Sequence, residues 1–197
     1  MPNVKNAAAW RDFCETDRAG SSMGANPTVS FCLDRLPTPI GTALLVTDTA
    51  GVLRALDWEE YQPRMRELLR LQYGAVDLKD ARAPREVRSA LTAYFKGDLD
   101  RLKAIRWRVA GTPFQRKVWT ALPEIPAGTT LSYGALAAKL NVPTAMRAVG
   151  HANGSNPISV VVPCHRLIGA SGSLVKYGGG LERKRWLLEH EGATLKS

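Results

Sequence analysis

The stretch Asn156-Pro157-Ile158-Ser159-Val160-Val161-Val162-Pro163-Cys164-His165-Arg166 constrains this chain more than any other. Ile158 to Val162 is a short β-branched apolar run, which reads as a buried strand. Pro163 has no N–H to give to a ladder, so the strand is expected to stop there. Cys164 then stands where a buried strand emerges into a turn, with His165 and Arg166 directly behind it. A thiol is nucleophilic as the thiolate, and adjacent cationic or basic groups favour that form. A lone cysteine is more often a buried structural residue, and on this stretch alone both roles stay open.

Size and composition bound what the stretch can serve. The 197 residues fit one large or two small domains, and 45% hydrophobic residues suffice for a core. No apolar run is long enough to span a bilayer. The N-terminus offers only Ala7-Ala8-Ala9-Trp10, so no signal peptide is expected and a soluble, cytoplasmic protein is. Cys14, Cys32 and Cys164 are odd in number and widely spaced, which argues for a reducing compartment rather than a disulfide framework. There is no CxxC pair, and His151, His165 and His190 lie far in sequence from Cys14 and Cys32, so no metal site is expected. Of the net charge of +9, residues 110–197 carry +6 and the first 109 residues +3. That concentration suggests a polyanionic partner, nucleic acid first, against the plainer alternative of ordinary surface charge.

Residues 1–28 lack periodicity and read as a tail with a short helix around Trp10. Val29 to Asp34 and Ile40 to Thr47 read as strands separated by Leu36-Pro37-Thr38-Pro39, and Asp48-Thr49-Ala50-Gly51 as a turn into a third strand, Val52 to Trp58. Gln62-Pro63 opens a helix that ends before Gly74, and a second runs from Pro84 to Gly97. Ile105, Trp107 and Val109 alternate with Arg106 and Arg108, so a half-buried strand is expected to close a small α/β domain over 29–110 in which nothing looks catalytic. Gly111-Thr112-Pro113 marks the boundary to a second domain, 111–197. Thr112 as N-cap and Pro113 at the first helical position begin a helix with Phe114, Val118, Ala121 and Leu122 buried. A further helix starts after Ser132, and Asn141-Val142-Pro143-Thr144 connects it to another from about Ala145 to Ala152. Two short helices so joined match a helix-turn-helix. The architecture expected is an α/β domain, a small antiparallel sheet with helices, followed by a mainly α domain with a helix-turn-helix of winged-helix type.

Ala145, Ala148 and Ala152 stand at i, i+3, i+7, which leaves one helix face bare, with Arg147 flanking it. Such a face suits a minor groove about 6 Å wide, or equally a close helix–helix contact. One arginine among alanines is a poor set for reading base edges. Farther on, Ile168 to Gly172 and Tyr177-Gly178-Gly179-Gly180 are glycine-rich loops where a backbone could approach a ligand, or plain turns. The last helix, Leu181 to His190, ends at Glu191 and Gly192. A carboxylate at a helix C-terminus opposes the dipole, so Glu191 is either solvent-exposed or paired with a donor such as His165.

Together these pieces resemble the O6-alkylguanine-DNA alkyltransferase family, in its bacterial form. The resemblance covers about Gly111 to Ala193: Pro163-Cys164-His165-Arg166, Ser132-Tyr133-Gly134, Arg147-Ala148-Val149-Gly150, Asn156-Pro157, Tyr177, Gly179-Gly180 and Trp186 to Gly192. It implies repair of guanine alkylated at O6 in double-stranded DNA, by a monomer, with no cofactor. Cys164 would take the alkyl group irreversibly, His165 would remove its proton through a water, and Glu191 would hold the imidazole. Tyr133 would assist the departing guanine and Asn156 would brace the turn. The helix bearing Ala145, Arg147, Ala148 and Gly150, with Ser132 nearby, would enter the minor groove, and Arg147 would replace the flipped nucleotide. The carbonyls of Cys164 and Leu167, the Gly178 amide and Tyr177 would line the base pocket.

Two positions depart from the family pattern. Met146 replaces a common alanine, and Val175-Lys176 replaces smaller residues before Tyr177. Two other functions compete with alkyl transfer. One is a non-enzymatic binder of alkylated DNA, whose representatives lack the acceptor cysteine. The other is a Cys–His hydrolase, which the helix-turn-helix disfavours.

Overall fold

The structure, a computed structural model, describes residues 28–195. The expected helix around Trp10, Cys14 and all of the expected tail but Thr28 lie outside the described residues. Strands β1 (Val29–Thr38), β2 (Gly41–Thr47), β3 (Leu53–Trp58) and β4 (Val76–Asp80) form one sheet in the order β3-β2-β1-β4. The first three are antiparallel, and the Asp48 carboxylate closes the β2–β3 turn by accepting from the N–H groups of Ala50 and Val52.

β4 pairs parallel with β1, which corrects the expectation of an antiparallel sheet. A parallel neighbour requires a crossover, supplied here by helix α1 (Gln62–Tyr73) between β3 and β4. Val76-Asp77-Leu78-Lys79-Asp80, with three charges, carries little strand signal of its own. β1 also runs through Leu36-Pro37-Thr38, expected to be a connection. Its pairing with β4 stops at Leu33, so beyond that point β1 has an open edge, where proline is tolerated.

Alternation along β2 sends Leu44 and Val46 to one face of the sheet and Ala43 and Leu45 to the other. The first face packs on Met65 and Leu69 of α1. The second packs on helix α2 (Arg85–Phe95) and on the C-terminal half, through Tyr94, Trp119, Val149 and Leu187. One continuous core thus joins the two halves of the chain.

The outer edge of β3 is divided between two later segments. Leu53 exchanges hydrogen bonds with the backbone of Arg106 and Arg108, and Leu56 with that of Pro157 and Ser159. A six-residue strand leaves each partner a single bridge, so the strand expected over Ile105–Val109 is only a bridge at Trp107.

Helix α3 (Pro113–Ala121) starts as expected, with a full capping box between Thr112 and Gln115. α4 (Tyr133–Lys139) is capped by the Ser132 hydroxyl, which accepts from Ala135 N at 3.1 Å. A left-handed Asn141 and a 3₁₀ turn, Pro143–Ala145, lead into α5 (Met146–Gly154). A two-residue parallel pair, β5 (Leu131–Ser132) with β6 (Leu167–Ile168), ties this helix pair to the segment after Cys164. α6 (Leu181–His190) ends at Glu191, with Gly192 left-handed beyond it. Among the described residues no helix is long and apolar enough to cross a membrane.

Candidate active site

The segment before Cys164 is buried, but it is not a strand. Only Ile158 bridges to β3, and the chain then turns back on itself, with Val162 N–H donating to Ile158 O and Val160 left-handed at φ 69°. A β-branched residue pays for that conformation, so the surroundings must impose it. Asn156 does so. Its Nδ2 donates to Val162 O at 2.8 Å and Ile158 O at 3.3 Å, and its Oδ1 accepts from Ile158 N at 3.0 Å. One amide thereby satisfies the groups that a ladder would otherwise have used. Apolar periodicity reported the burial of Ile158 to Val162 correctly and missed this side-chain strut.

Cys164, His165 and Arg166 form one 3₁₀ turn, and all three are buried. His165 Nε2 lies 3.0 Å from Glu191 Oε1. Arg166 grips the same carboxylate with Nε and Nη2, both at 2.8 Å, and donates through Nη1 to Ile125 O at 2.5 Å. The Tyr94 hydroxyl donates to Glu191 Oε1 at 2.8 Å. Burial alone would raise the Glu191 pKa, but His165 and Arg166 outweigh it and hold the carboxyl well below its ordinary range. Glu191 is 5% exposed, which rules out solvent exposure as the reason for its place at the helix end.

An ionised carboxylate only accepts, so Nε2 of His165 carries the proton. Burial lowers the His165 pKa against the pull of Glu191, which favours the neutral ring. Nδ1 is then a lone pair, and it is buried without a protein partner. The imidazole is set up as a base.

Burial raises the pKa of the Cys164 thiol. Asn156 and the charges of Arg64 and Lys184 oppose that rise. Arg166, expected to favour the thiolate as a sequence neighbour, is occupied by Glu191 and Ile125 instead. Lys184 is fully buried and donates to Leu167 O at 2.6 Å and Val175 O at 2.8 Å. Asn153 Nδ2 bonds Cys164 O at 3.3 Å and reaches the Tyr133 hydroxyl at 3.5 Å. Burial pushes the Tyr133 pKa up, so the phenol keeps its proton. The Tyr177 ring stands edge-on to His165, centroids 6.4 Å apart.

A family model described as "6-O-methylguanine DNA methyltransferase, DNA binding domain" matches residues 113–193. A methylated-DNA–protein-cysteine methyltransferase of Salmonella typhimurium is 47% identical over 164 residues, covering 82% of this chain and 96% of that relative. The chain belongs to the methylated-DNA–protein-cysteine methyltransferase family. The same-named protein of Mycobacterium leprae is 56% identical over 54% of this chain and 64% of its own length. The solved structure of Mycobacterium tuberculosis OGT in complex with DNA superposes with a TM-score of 0.69 at 41% identity, over 82% of this chain and 92% of that one. O6-methylguanine-DNA methyltransferase of Pyrococcus kodakaraensis gives 0.64 at 25% identity, over 83% and 99%.

In this methyltransferase family member the residues assigned to DNA divide into two groups. Arg147 and Ala148 are exposed on the first turn of α5, beside Met146, the departure from the family pattern, which is exposed too. Ala145 is half-buried in the preceding 3₁₀ turn, and Gly150 packs against the Tyr133 ring. The three-alanine face is corrected: Ala152 is 2% exposed, and its carbonyl accepts from Trp119 Nε1 at 2.7 Å, so it faces the core. Val175 ties its carbonyl to Lys184, whereas Lys176 is exposed.

Tyr94, Asn153, Lys184, Asp57 and Arg64 escaped the reading of the sequence. For Lys184 a signal existed, because Lys184, Leu187, Leu188 and Glu191 share one helix face at i, i+3, i+4, i+7. A lysine and a glutamate on an apolar stripe point inward to partners. Tyr94 and Arg64 carry no such mark.

Proposed function

We propose that this protein repairs guanine alkylated at O6 in DNA by moving the alkyl group irreversibly onto Cys164, once per molecule. The observation that carries the proposal is the buried His165, its Nε2–H committed to Glu191 and its Nδ1 free, in the same turn as Cys164. Nδ1, buried without a protein partner, takes the thiol proton through a water. The sulfur attacks the alkyl carbon, a C–S bond forms, and the C–O6 bond breaks with its electron pair going to guanine. Tyr133, kept protonated by burial, donates to the departing base. A thioether is not readily displaced, so the molecule is spent. The chemistry requires no cofactor.

A base inside a duplex cannot reach a buried thiol, so the alkylated nucleotide is flipped out at a cost of a few kcal/mol. α4 and α5 act as a helix-turn-helix of winged-helix type on the minor groove, with Ser132, Ala145, Ala148 and Gly150 along the contact and Arg147 in the vacated stack. In this reading the guanine amine donates to Leu167 O, which accepts from Lys184 Nζ, and to Cys164 O, which accepts from Asn153 Nδ2 and the Leu167 N–H. Tyr177 and the Gly178 amide close the pocket toward O6. The names of the relatives, the DNA-bound neighbour and the charge of residues 110–197 support this reading. The presence of Cys164 favours it over a non-enzymatic binder.

Intact mass after incubation with O6-methylguanine duplex DNA tests it. A gain of one methyl, about 14 Da, on Cys164 is expected, the thiolate being the acceptor. No gain, or a gain that persists in Cys164→Ala, would overturn it. Cys164→Ala should still bind DNA within a few-fold, because phosphate contacts supply most of the affinity.

A further inference from the structure

Arg64 lies on α1, in the half of the chain that the sequence leaves without a role in the site. Its guanidinium nevertheless joins four segments around the Cys164 turn. Nη1 donates to Asp57 of β3, a carboxylate only 1% exposed. Nη2 donates to Gly154 O at 3.0 Å, at the end of α5, and to Asn156 O at 3.3 Å, on the strut itself. Gly178 lies against the same group: a Cβ there would stand 2.6 Å from Arg64 Cζ. Gly178 is not left-handed, so a side chain there would meet the Arg64 guanidinium rather than a forbidden backbone conformation, and the guanidinium would have to shift to admit it.

The chemistry suits the place. A guanidinium is planar, permanently charged and weakly hydrated, and its donors fan out in a fixed plane. It can bond a carboxylate and two carbonyls while its face rests on a glycine. Burial pushes the Asp57 carboxyl up to about 6 even with the Arg64 charge opposing, so the pair is kept at a desolvation cost. Apolar residues often replace a buried ion pair without loss of stability, which favours a task for this one beyond folding.

We infer that Arg64 is a positioning residue that sets the width of the alkyl-acceptor pocket by holding the Gly178 loop against the Asn156 strut. The inference rests on the proposed role of Tyr177-Gly178 as the pocket wall. With Arg64 in place the loop cannot drift from the turn that aims Cys164, and a methyl group is held in line for attack. Without it the gap opens. A small alkyl group loses alignment, and a bulky one gains room.

The test compares transfer from O6-methylguanine and O6-benzylguanine, each in the same duplex, by the full chain and its Arg64→Lys variant. Lysine keeps the charge and the stem but loses the planar fork, and circular dichroism checks that the variant is folded. Methyl transfer should fall about tenfold, the cost expected of slight misalignment, while the benzyl-to-methyl ratio rises several-fold. A second readout uses Gly178→Ala, which should be slow in the parent because the added methyl meets the guanidinium. It should be partly rescued in Gly178→Ala/Arg64→Lys, a coupling that a distant structural role would not produce. Arg64→Ala repeats both measurements where it folds. An unchanged ratio, or the absence of rescue, overturns the inference. The methyl mass gain of the parent reports separately on the proposed function.

Discussion

Nε2 of His165 and Oε1 of Glu191 stand 3.0 Å apart, and both side chains are fully buried. The contact fixes which imidazole nitrogen carries the proton, and so which one is free to receive another. Glu191→Gln should therefore act on chemistry as well as on stability. An amide can donate to Nε2 as readily as accept from it, so the tautomer is no longer imposed. By analogy with the carboxylate of a Ser-His-Asp triad, transfer should slow by roughly 10²- to 10⁴-fold. Arg166 also loses its buried counter-charge, which should cost roughly 3–5 kcal/mol. Single-turnover rates and urea unfolding measure the two effects, and a rate within threefold of the parent would dismiss the tautomer argument.

Acid sensitivity follows from the same pair. The folded Glu191 pKa lies below its ordinary 4.5, through His165 and Arg166 and despite burial. Its contribution is thus present above 4.5 and is lost as the pH falls below that value. Burial lowers the His165 pKa from 6.5, so the unfolded chain takes up that proton first, and stability begins to decline below 6.5. Their joint contribution to the unfolding free energy should fall from about pH 6.5 downward, more steeply below about 4.5, while the Asp57 carboxyl, raised to about 6 from its ordinary 3.8, works in the opposite direction between those values. The gap between parent and Glu191→Gln should close toward acid. Parallel curves for the two proteins would show that Glu191 is not the titrating group.

Arg147 is exposed on the first turn of α5, where a cation opposes the helix dipole. Its removal should leave folding stability within about 0.5 kcal/mol. Arg147→Ala should slow transfer from duplex DNA far more than transfer from free O6-benzylguanine, which needs no extrusion. Equal slowing on both substrates would place its role in the fold or the pocket instead.

Local signals fixed most element boundaries. Pro63, Thr112-Pro113, Ser132 and Gly192 mark helix ends with chemistry that acts within one turn, and the structure has helix ends at each. The Glu191–His165 contact was half readable: a carboxylate at a helix C-terminus is either exposed or paired, and the burial that decides between them is not written in the local sequence. What was not readable depends on long-range geometry. β4 exists because a crossover brings it to β1, and the 158–162 turn exists because Asn156 replaces a ladder. Arg64 and Tyr94 reach the site from 92 and 97 residues away, and no periodicity encodes those meetings.

Lys184 offers the sharpest reversal of ordinary behaviour. Its amine is enclosed between Leu167 O and Val175 O, the two ends of the loop spanning 168–174. Burial pushes its pKa down to about 8, although the Cys164 thiolate would act the other way. Two carbonyls need two N–H donors, and a neutral amine has two, so both bonds survive deprotonation. The unfolded chain keeps its proton up to the ordinary 10.5, whereas the folded one releases it near 8. At this group the unfolded state therefore binds more protons across that window, and Lys184 contributes stability that rises as the pH climbs through it, against the opposite contribution of the Cys164 thiol, whose pKa is raised above its ordinary 9.0. Lys184→Met fills the space without a titrating group and should abolish the rise. It also removes the donor from the part-buried Val175 O and from the buried Leu167 O, at roughly 1–3 kcal/mol for the latter, so transfer should slow as well. Urea unfolding across about pH 7.5 to 10 decides the matter: equal slopes in parent and variant would mean that Lys184 stays charged in its enclosure.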